Sequence, residues 1–322
     1  MKPVTLLVLS SPEDPQLAML ERLPPGTRAV AGNRPEAFES AAEDADAILV
    51  WFTGRELLQQ VWKMAPRVRW VHASSVGVDT LLFAELVESP VPLTNARGAF
   101  SWALGEFAVA AILFFAKDLR RMVRSQEAGV WAPFDVEGVR GKTLGIIGYG
   151  DIGRAVAERA HGLGMRILAL RRRPELCGSD PLLERVYAPD SVKEMLAESD
   201  YVVLSAPLTA RTRGLIAEPE IAAMKQSAVL INVGRGPVAD ERALICALEE
   251  RRICGAALDV FEQEPLPAGH PFYRLDNVLL SPHCADHTTG WMAQSMEVFL
   301  DNFERFRNGE PLRNVVDKRL GY

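Results

Sequence analysis

Cysteine is scarce. The four cysteines, Cys177, Cys246, Cys254 and Cys284, form no CxxC pair and no small-domain disulfide spacing. That excludes a disulfide-stapled secreted scaffold and predicts a reduced, cytoplasmic setting. Long hydrophobic runs are missing too. The longest, Phe107–Ala116, falls well short of the roughly 20 residues of a membrane span, so no membrane partner is expected. Val4–Leu9 is too short for a signal-peptide core and lacks a cleavage-like site, so it reads as a strand. The net charge is −6, with no block of like charge long enough for a nucleic-acid arm, which argues against a nucleic-acid partner. A metal site is not expected either. His283 and His287 stand four apart, as a helical zinc pair does, but they follow a strand and a proline, with no third ligand evident.

What remains is an ordinary globular composition, 48% hydrophobic and 24% charged. A chain of 322 residues exceeds one ordinary core, so two domains are expected. One stretch organises them: GKTLGIIGYGDIGRAVAERAHGLGMRILALRRRP, Gly141 to Pro174. It reads as strand, glycine turn, helix and strand, the unit that binds a dinucleotide pyrophosphate. Gly148 permits the tight turn, Gly150 lets backbone approach phosphate, and Gly153 lets helix pack on strand. The anion then sits at a helix N-terminus, among unpaired amides.

Apolar runs alternate with helical stretches on both sides. Before the glycine turn, strands are expected at Val4–Leu9, Arg28–Ala31, Ala45–Val50 and Trp70–His72. Helical stretches are expected at Gln16–Arg22 and Glu56–Met64, and at Asp79–Glu88 with Asp79 or Thr80 as cap. A long helix should run from Ser101 to about Glu127. Its first half is apolar almost all round, which predicts burial in the core and against a second subunit. Beyond the turn, strands are expected at Tyr201–Ala206, Val229–Val233, Ile253–Leu258 and Val278–Ser281. Asp190 or Ser191 should cap a helix to Glu198, and Asp240 a helix to Glu250. After a last helix, Thr289 to Arg307, the chain is read as irregular. Strands alternating with helices predict doubly wound parallel sheets, whose ligands lie outside the strand carboxyl ends.

Those ends carry chemistry. Val229–Val233 leads into Gly234-Arg235-Gly236, Ile253–Leu258 into Asp259 and then Glu264, and Val278–Ser281 into Pro282-His283. Each has a bland explanation alone: a turn arginine, a solvated acidic loop, a core histidine. Together they are a cation, a carboxylate and an imidazole on one cofactor sheet. Hydride transfer to a 2-keto acid needs that set. Arg235 would hold the substrate carboxylate and polarise the ketone. His283 would donate a proton, and Glu264 would orient the imidazole and raise its pKa.

With these pieces in order, the chain resembles the D-isomer-specific 2-hydroxyacid dehydrogenases over nearly its full length. The matching segments are SVGVDTL, TNARGAFSWALGEF, GIIGYGDIGRAVA, APLTARTRGLI, INVGRGPVADERAL, LDVFEQEPLP and SPH. The resemblance implies a Rossmann-type domain, 99–286, inserted into a flavodoxin-like substrate domain made of 1–98 and 287–322. It assigns catalysis to Arg235, Glu264 and His283. It puts the substrate carboxylate on the amides of Val76 and Gly77, and Asp259 near the nicotinamide carboxamide. Cofactor contacts are expected at Gly148, Tyr149, Gly150, Asp151, Ile152, Gly153, Ala206, Pro207, Thr212, Val233, Gly234, Asp259 and His283. It also implies a homodimer through the helix that starts near Ser101.

One more absence is informative. NAD-using members carry an acid at the end of the second cofactor strand. Here that place is Arg171-Arg172-Arg173. Cations stand where a 2′-phosphate would sit, so NADP(H) is the expected cofactor, with NAD(H) as an alternative. The loop Trp51-Phe52-Thr53-Gly54 faces the cleft in the family, which puts Trp51 or Phe52 at the substrate, with Trp102, Trp131 and Trp291 as further candidates. The basic cofactor site and this loop are similar to those of glyoxylate/hydroxypyruvate reductases, so a small keto acid is expected. A bulkier acid such as phenylpyruvate, or a non-enzymatic cofactor sensor of the corepressor type, is the alternative. Cys284 is read as packing.

Overall fold

Four of the runs read as strands, joined by Leu93–Asn95, become five parallel strands in the computed structural model, which describes residues 3–322. The chain divides into two compact units, Met1–Ala99 with Thr289–Tyr322, and Phe100–Thr288. In the first unit the strands are β1 (Val4–Leu9), β2 (Thr27–Gly32), β3 (Ala47–Val50), β4 (Trp70–Ala73) and β5 (Leu93–Asn95). Their order, β2-β1-β3-β4-β5, is the flavodoxin-type winding. Two helices lie between them, α1 (Arg55–Met64) and α2 (Ala84–Glu88).

Burial on both faces explains why these strands read as unbroken apolar runs. Leu7, Leu9, Ile48 and Val50 share a core with Leu58 and Val61 of α1. The alternate residues Leu6, Val8 and Leu49 pack with Met296, Phe299 and Phe303 of the C-terminal helix, Trp291–Asn308. Trp70 stacks on Phe299, ring centroids 5.5 Å apart.

Two expectations fail in this unit. The segment from Asp79 is helical only over Ala84–Glu88, and no side chain caps it. Buried Val78 and Leu81 fold the start into a turn, with the Leu81 amide on the Val78 carbonyl at 2.9 Å. The C-terminal tail is also not irregular wandering. Val315 bridges Thr94 antiparallel, and the Val316 amide donates to Leu93 O at 2.8 Å. Lys318 Nζ donates to the carbonyls of Leu86, Ser89 and Val91 at 2.6–2.8 Å, satisfying groups left over at the end of α2. Asn314 Nδ2 reaches Asn95 O and Arg97 O.

The second unit opens with α3 (Ser101–Ala116) and α4 (Leu119–Glu127), and continues β6 (Thr143–Ile147), α5 (Asp151–Gly162), β7 (Arg166–Leu170) and β8 (Arg185–Tyr187). Then come α6 (Val192–Glu198), β9 (Tyr201–Leu204), α7 (Glu218–Ile221), β10 (Val229–Asn232), α8 (Glu241–Glu249), β11 (Gly255–Leu258) and β12 (Val278–Leu280). All seven strands run parallel in the order β12-β11-β10-β9-β6-β7-β8. The order reverses between β6 and β9, the switch point where such sheets hold dinucleotides.

The long helix expected over 101–127 is two helices. Asp118 breaks it, with a left-handed φ of 46°, and its carboxylate accepts the Arg121 amide at 3.3 Å to start α4. The greasy half, α3, packs on α5 within the chain, so close that a Cβ on Gly105 would lie 3.0 Å from the Ala155 backbone. Asp240 caps α8 as expected, its Oδ1 taking the Ala243 amide at 2.9 Å. Ser191 does not cap α6; a 3-10 turn over Pro189–Ser191 leads into the helix instead. Among the described residues no helix is long and apolar enough to cross a membrane.

Candidate active site

The glycine turn follows β6 at the switch point. Gly148 has φ +97°, and a Cβ there would lie 2.5 Å from the Ala206 amide nitrogen. Only glycine fits both conditions. A Cβ on Gly153 would meet the Gly148 carbonyl oxygen at 2.5 Å, so this residue sets the close seat of α5 on the turn. A Cβ on Gly150 would meet nothing within 4 Å. Open space therefore lies beside the backbone just where α5 begins, and no side chain caps that N-terminus. A helix N-terminus that opens on free space suits a pyrophosphate. A dinucleotide fits these residues.

At the end of β7, Arg171 and Arg172 are half-buried and Arg173 is exposed. Arg171 Nη1 lies 3.4 Å from Leu176 O and 3.9 Å from Cys177 Sγ. The segment returns toward the glycine turn at Asp180, which accepts from the Tyr149 hydroxyl at 3.0 Å. Burial and Asp180 push the Tyr149 phenol up from its ordinary range.

Beyond β9, Ala206 is buried, and Thr212 Oγ1 donates to Pro207 O at 2.6 Å, closing that loop. Beyond β10, buried Asn232 organises the next. Its Oδ1 takes the Gly234 amide at 3.1 Å, and its Nδ2 donates to Arg235 O at 3.0 Å. Val233 is buried, and Arg235 Nη1 donates to Gly234 O at 2.9 Å. Gly236 seats this loop against the one after β11: its Cβ would lie 2.0 Å from the Phe261 carbonyl carbon.

The loop after β11 holds the carboxylates. Asp259 is buried, and its Oδ1 accepts from Ser281 Oγ at 2.6 Å and from the amides of Cys284 and Ala285 at 2.9 and 3.1 Å. Three donors from the segment after β12 thus converge on one oxygen and shape the turn that presents His283, whose φ is +52°. His283 Nδ1 meets Glu264 Oε2 at 2.6 Å, and Glu264 Oε1 takes the Phe261 amide at 2.9 Å. Burial pushes Glu264 up, but the hydrogen bonds from His283 and Phe261 and the nearby positive charges outweigh it, so its pKa lies below the ordinary value. The same hydrogen bond raises His283 above its ordinary value against burial, helped by the charges of Glu264 and Asp259 and opposed by Arg235. An ionised carboxylate only accepts, so Nδ1 carries the proton of this bond and Nε2 is left for other work.

The comparisons with known proteins agree with this geometry. Residues 109–285 match the family model described as "D-isomer specific 2-hydroxyacid dehydrogenase, NAD binding domain". A glyoxylate reductase of Thermococcus gammatolerans is 39% identical over 297 residues, covering 88% of this chain and 86% of its own. The chain belongs to the D-isomer specific 2-hydroxyacid dehydrogenase family. Among solved structures, a family member from Xanthobacter autotrophicus Py2 in complex with NADPH and MES superposes with a TM-score of 0.84 at 30% identity, covering 99% of this chain and 100% of that one. An NADPH-dependent glyoxylate/hydroxypyruvate reductase from Sinorhizobium meliloti, in complex with NADP and sulfate, gives 0.82 at 25% identity with full coverage of both chains. This 2-hydroxyacid dehydrogenase is an NAD(P)-dependent oxidoreductase.

The other residues expected to hold its substrate lie in the first unit, after β4 and β3. Val76 O accepts from Asn95 Nδ2 at 2.6 Å, and Gly77 O from Ser75 Oγ at 2.8 Å. The carbonyls are tied down, while among the described residues neither amide donates to a protein acceptor. Trp51 and Phe52 part company. Trp51 is 2% exposed, sits in the core and donates from Nε1 to Asp14 at 3.0 Å. Phe52 is 44% exposed with φ +50°, its amide held by Ser74 Oγ at 2.9 Å. Its ring meets Trp291 edge-on at 5.2 Å. Trp102 and Trp131, both exposed, belong to the second unit.

Several groups of the dehydrogenase site had no signal in the sequence. Asn232 shapes its own loop through bonds to the Gly234 amide and Arg235 O, Ser74 holds the Phe52 amide, and Ser281 bonds Asp259. Ordinary polar residues carry no motif that announces such pairings. Cys284 Sγ lies 3.5 Å from Ser281 Oγ, and His287 Nε2 lies 3.7 Å from Asp286 Oδ1. Among the described residues no three His, Cys, Asp or Glu side chains gather as a metal site.

Proposed function

We propose that this dehydrogenase reduces a small 2-keto acid of the glyoxylate or hydroxypyruvate kind to the D-2-hydroxy acid, with NADPH as preferred cofactor. The observation that carries the reading is the 2.6 Å contact of His283 with Glu264. An imidazole raised by an ionised partner is a proton store near neutral pH. When bound, the reduced nicotinamide supplies a hydride. His283 gives its Nε2 proton to the alkoxide oxygen that forms, and Glu264 stabilises the imidazolium until then. Arg235 holds the substrate carboxylate and polarises the ketone, and Val76 and Gly77 offer backbone amides suited to a carboxylate. Phe52, rather than Trp51, offers an exposed ring to the substrate side chain. Asp259 takes the nicotinamide carboxamide.

The choice of NADPH rests on Arg171, Arg172 and Arg173 at the end of β7, where NAD enzymes hold an acid. NADPH and NADP appear in the related complexes from Xanthobacter and Sinorhizobium. In this reading residues 99–286 are the cofactor domain, inserted into a substrate domain of 1–98 and 287–322. The enzyme works in the cytoplasm as a homodimer through the helical region that starts at Ser101. Support for pairing comes from uncovered apolar side chains after α3: Met122, Val123 and Val130 are 41–54% exposed and Trp131 is 96% exposed.

One panel tests the reading: glyoxylate, hydroxypyruvate, pyruvate and phenylpyruvate, each with NADPH and NADH. Fastest turnover of the two small acids with NADPH is expected. A clear NADH preference refutes the cofactor, and a phenylpyruvate preference refutes the small pocket. NADPH binding without turnover on any acid returns the sensor reading.

A further inference from the structure

The arginine segment is fastened to the glycine turn by a side-chain cluster. Tyr149, the second residue of GYGDIG, is buried although it sits in a phosphate-binding turn. Its hydroxyl donates to Asp180 Oδ2 at 3.0 Å. Arg154, on the first turn of α5, donates from Nη1 to the same oxygen at 2.9 Å and from Nε to Glu158 at 3.1 Å. Asp180 Oδ1 takes the Leu182 amide at 3.1 Å. The Asp180 side chain is 7% exposed. Three donors thus converge on a carboxylate withdrawn from solvent, and one is a guanidinium that compensates its charge.

Burial does little to hold this segment, whose other ties include the Arg171 amide on Tyr187 O at 3.1 Å. Between β7 and β8 most residues are exposed or half-buried, and Leu176 is 51% exposed. A chain with so little burial is mobile unless it is tied by polar contacts. Arg171 to Arg173 lie at one end of it and Asp180 at the other.

We propose that Tyr149, Asp180 and Arg154 form a latch that sets cofactor selectivity, by pinning the Arg171–Arg173 segment to the glycine turn before the cofactor arrives. The inference rests on the NADPH reading above. Pre-ordering removes the entropy cost of immobilising long arginine side chains on the 2′-phosphate. A cofactor without that phosphate gains nothing from it. Asp180 is therefore not a stand-in for the ribose-binding acid of NAD enzymes. Its charge is used inside the protein, to hold cations in place for a different ligand.

The test uses the full-length protein with 2′,5′-ADP and 5′-AMP, which report the adenosine end alone, in calorimetric titrations. Tyr149→Phe removes one hydroxyl and keeps the ring. Asp180→Asn removes the charge and keeps the shape. Each should weaken 2′,5′-ADP binding by about tenfold, the worth of one hydrogen bond to a charged group, with 5′-AMP changed less than about twofold. Amide hydrogen exchange over residues 171–183 should quicken in both variants without ligand. Tighter 2′,5′-ADP binding in Asp180→Asn would mean that the carboxylate only repels phosphate, and would overturn the latch. So would equal losses for both nucleotides, or unchanged affinity and exchange. Equal affinity of the unaltered protein for the two nucleotides would instead sink the NADPH reading, and with it any role of the latch in selectivity.

Discussion

His283 and Glu264 hold opposite shifts in one contact. The imidazole rises and the carboxyl falls because each stabilises the charged form of the other. Their signs predict the pH behaviour. In the proposed mechanism reduction consumes the imidazolium, so its rate should fall as pH climbs through the raised His283 pKa. Oxidation of the hydroxy acid should fall on the acid side of that pKa. Glu264→Gln removes the supporting charge and should move the alkaline limit of reduction to lower pH, as a pH profile of kcat/KM would show. An unmoved limit would count against the pairing. For His283→Ala a loss of roughly 10²- to 10⁴-fold in kcat is expected, far larger than the loss of NADPH affinity by fluorescence titration. The chemical types of these residues were legible in the sequence, since each follows an apolar run. Their contact was not, because 19 positions separate them and two loops must fold to bring them together.

At the scale of elements, composition misled where two helices follow one another with only two residues between them. Ser101 to Glu127 reads as a single helix because both halves have good helix formers. The break at Asp118 is a packing decision: α3 is buried in the chain, while α4 has no buried residue. Asp118 pays in φ for what it supplies as a cap. Asp118→Ala should keep the strain and lose the cap, costing about 1–2 kcal/mol. Asp118→Gly should relax the backbone and stay within a few tenths of the native value. Urea melts of the two variants would separate these terms, and equal stability would refute the account. The strands β5 and β8, three residues each, escaped notice for a different reason. Such runs are too short to show a period, and pairing with a neighbour is what makes them strands.

Whole-molecule stability carries a hidden acid sensitivity. His72 in β4 is fully buried, and burial alone pushes its pKa down to about 3. Its Nδ1 lies 2.7 Å from Thr94 Oγ1, which also accepts from Trp70 Nε1 at 2.8 Å. On unfolding the imidazole returns to an ordinary pKa of about 6.5. The contribution is complete above that pH and is lost as pH falls, because the unfolded chain then binds the extra proton. His72→Gln should remove about one proton from the slope of stability against pH between about pH 4 and 6, read from urea midpoints. Assembly is the second prediction at this scale. Trp131→Asp should convert a dimer to monomers in sedimentation equilibrium if the exposed apolar surface is the contact. A dimer that persists would move the interface elsewhere.

The sequence by itself determined the parallel α/β architecture, the glycine turn and the family. Those depend on short-range periodicity and on residues whose chemistry is local: a glycine needed for its φ, an apolar run buried on both faces, a proline beside a histidine. Three arginines at the end of β7 were legible in the same way. Only the tertiary structure decided what those local pieces are held by. It sent Trp51 inward and Phe52 outward, docked the C-terminal tail on β5 through Val315 and Val316, and tied the arginine segment to the glycine turn through Asp180 and Tyr149. The physical reason is that a hydrogen bond or ion pair between distant segments depends on where folding brings their atoms. Nothing in the spacing of Tyr149 and Asp180, 31 positions apart, marks them as partners before the sheet between them is wound.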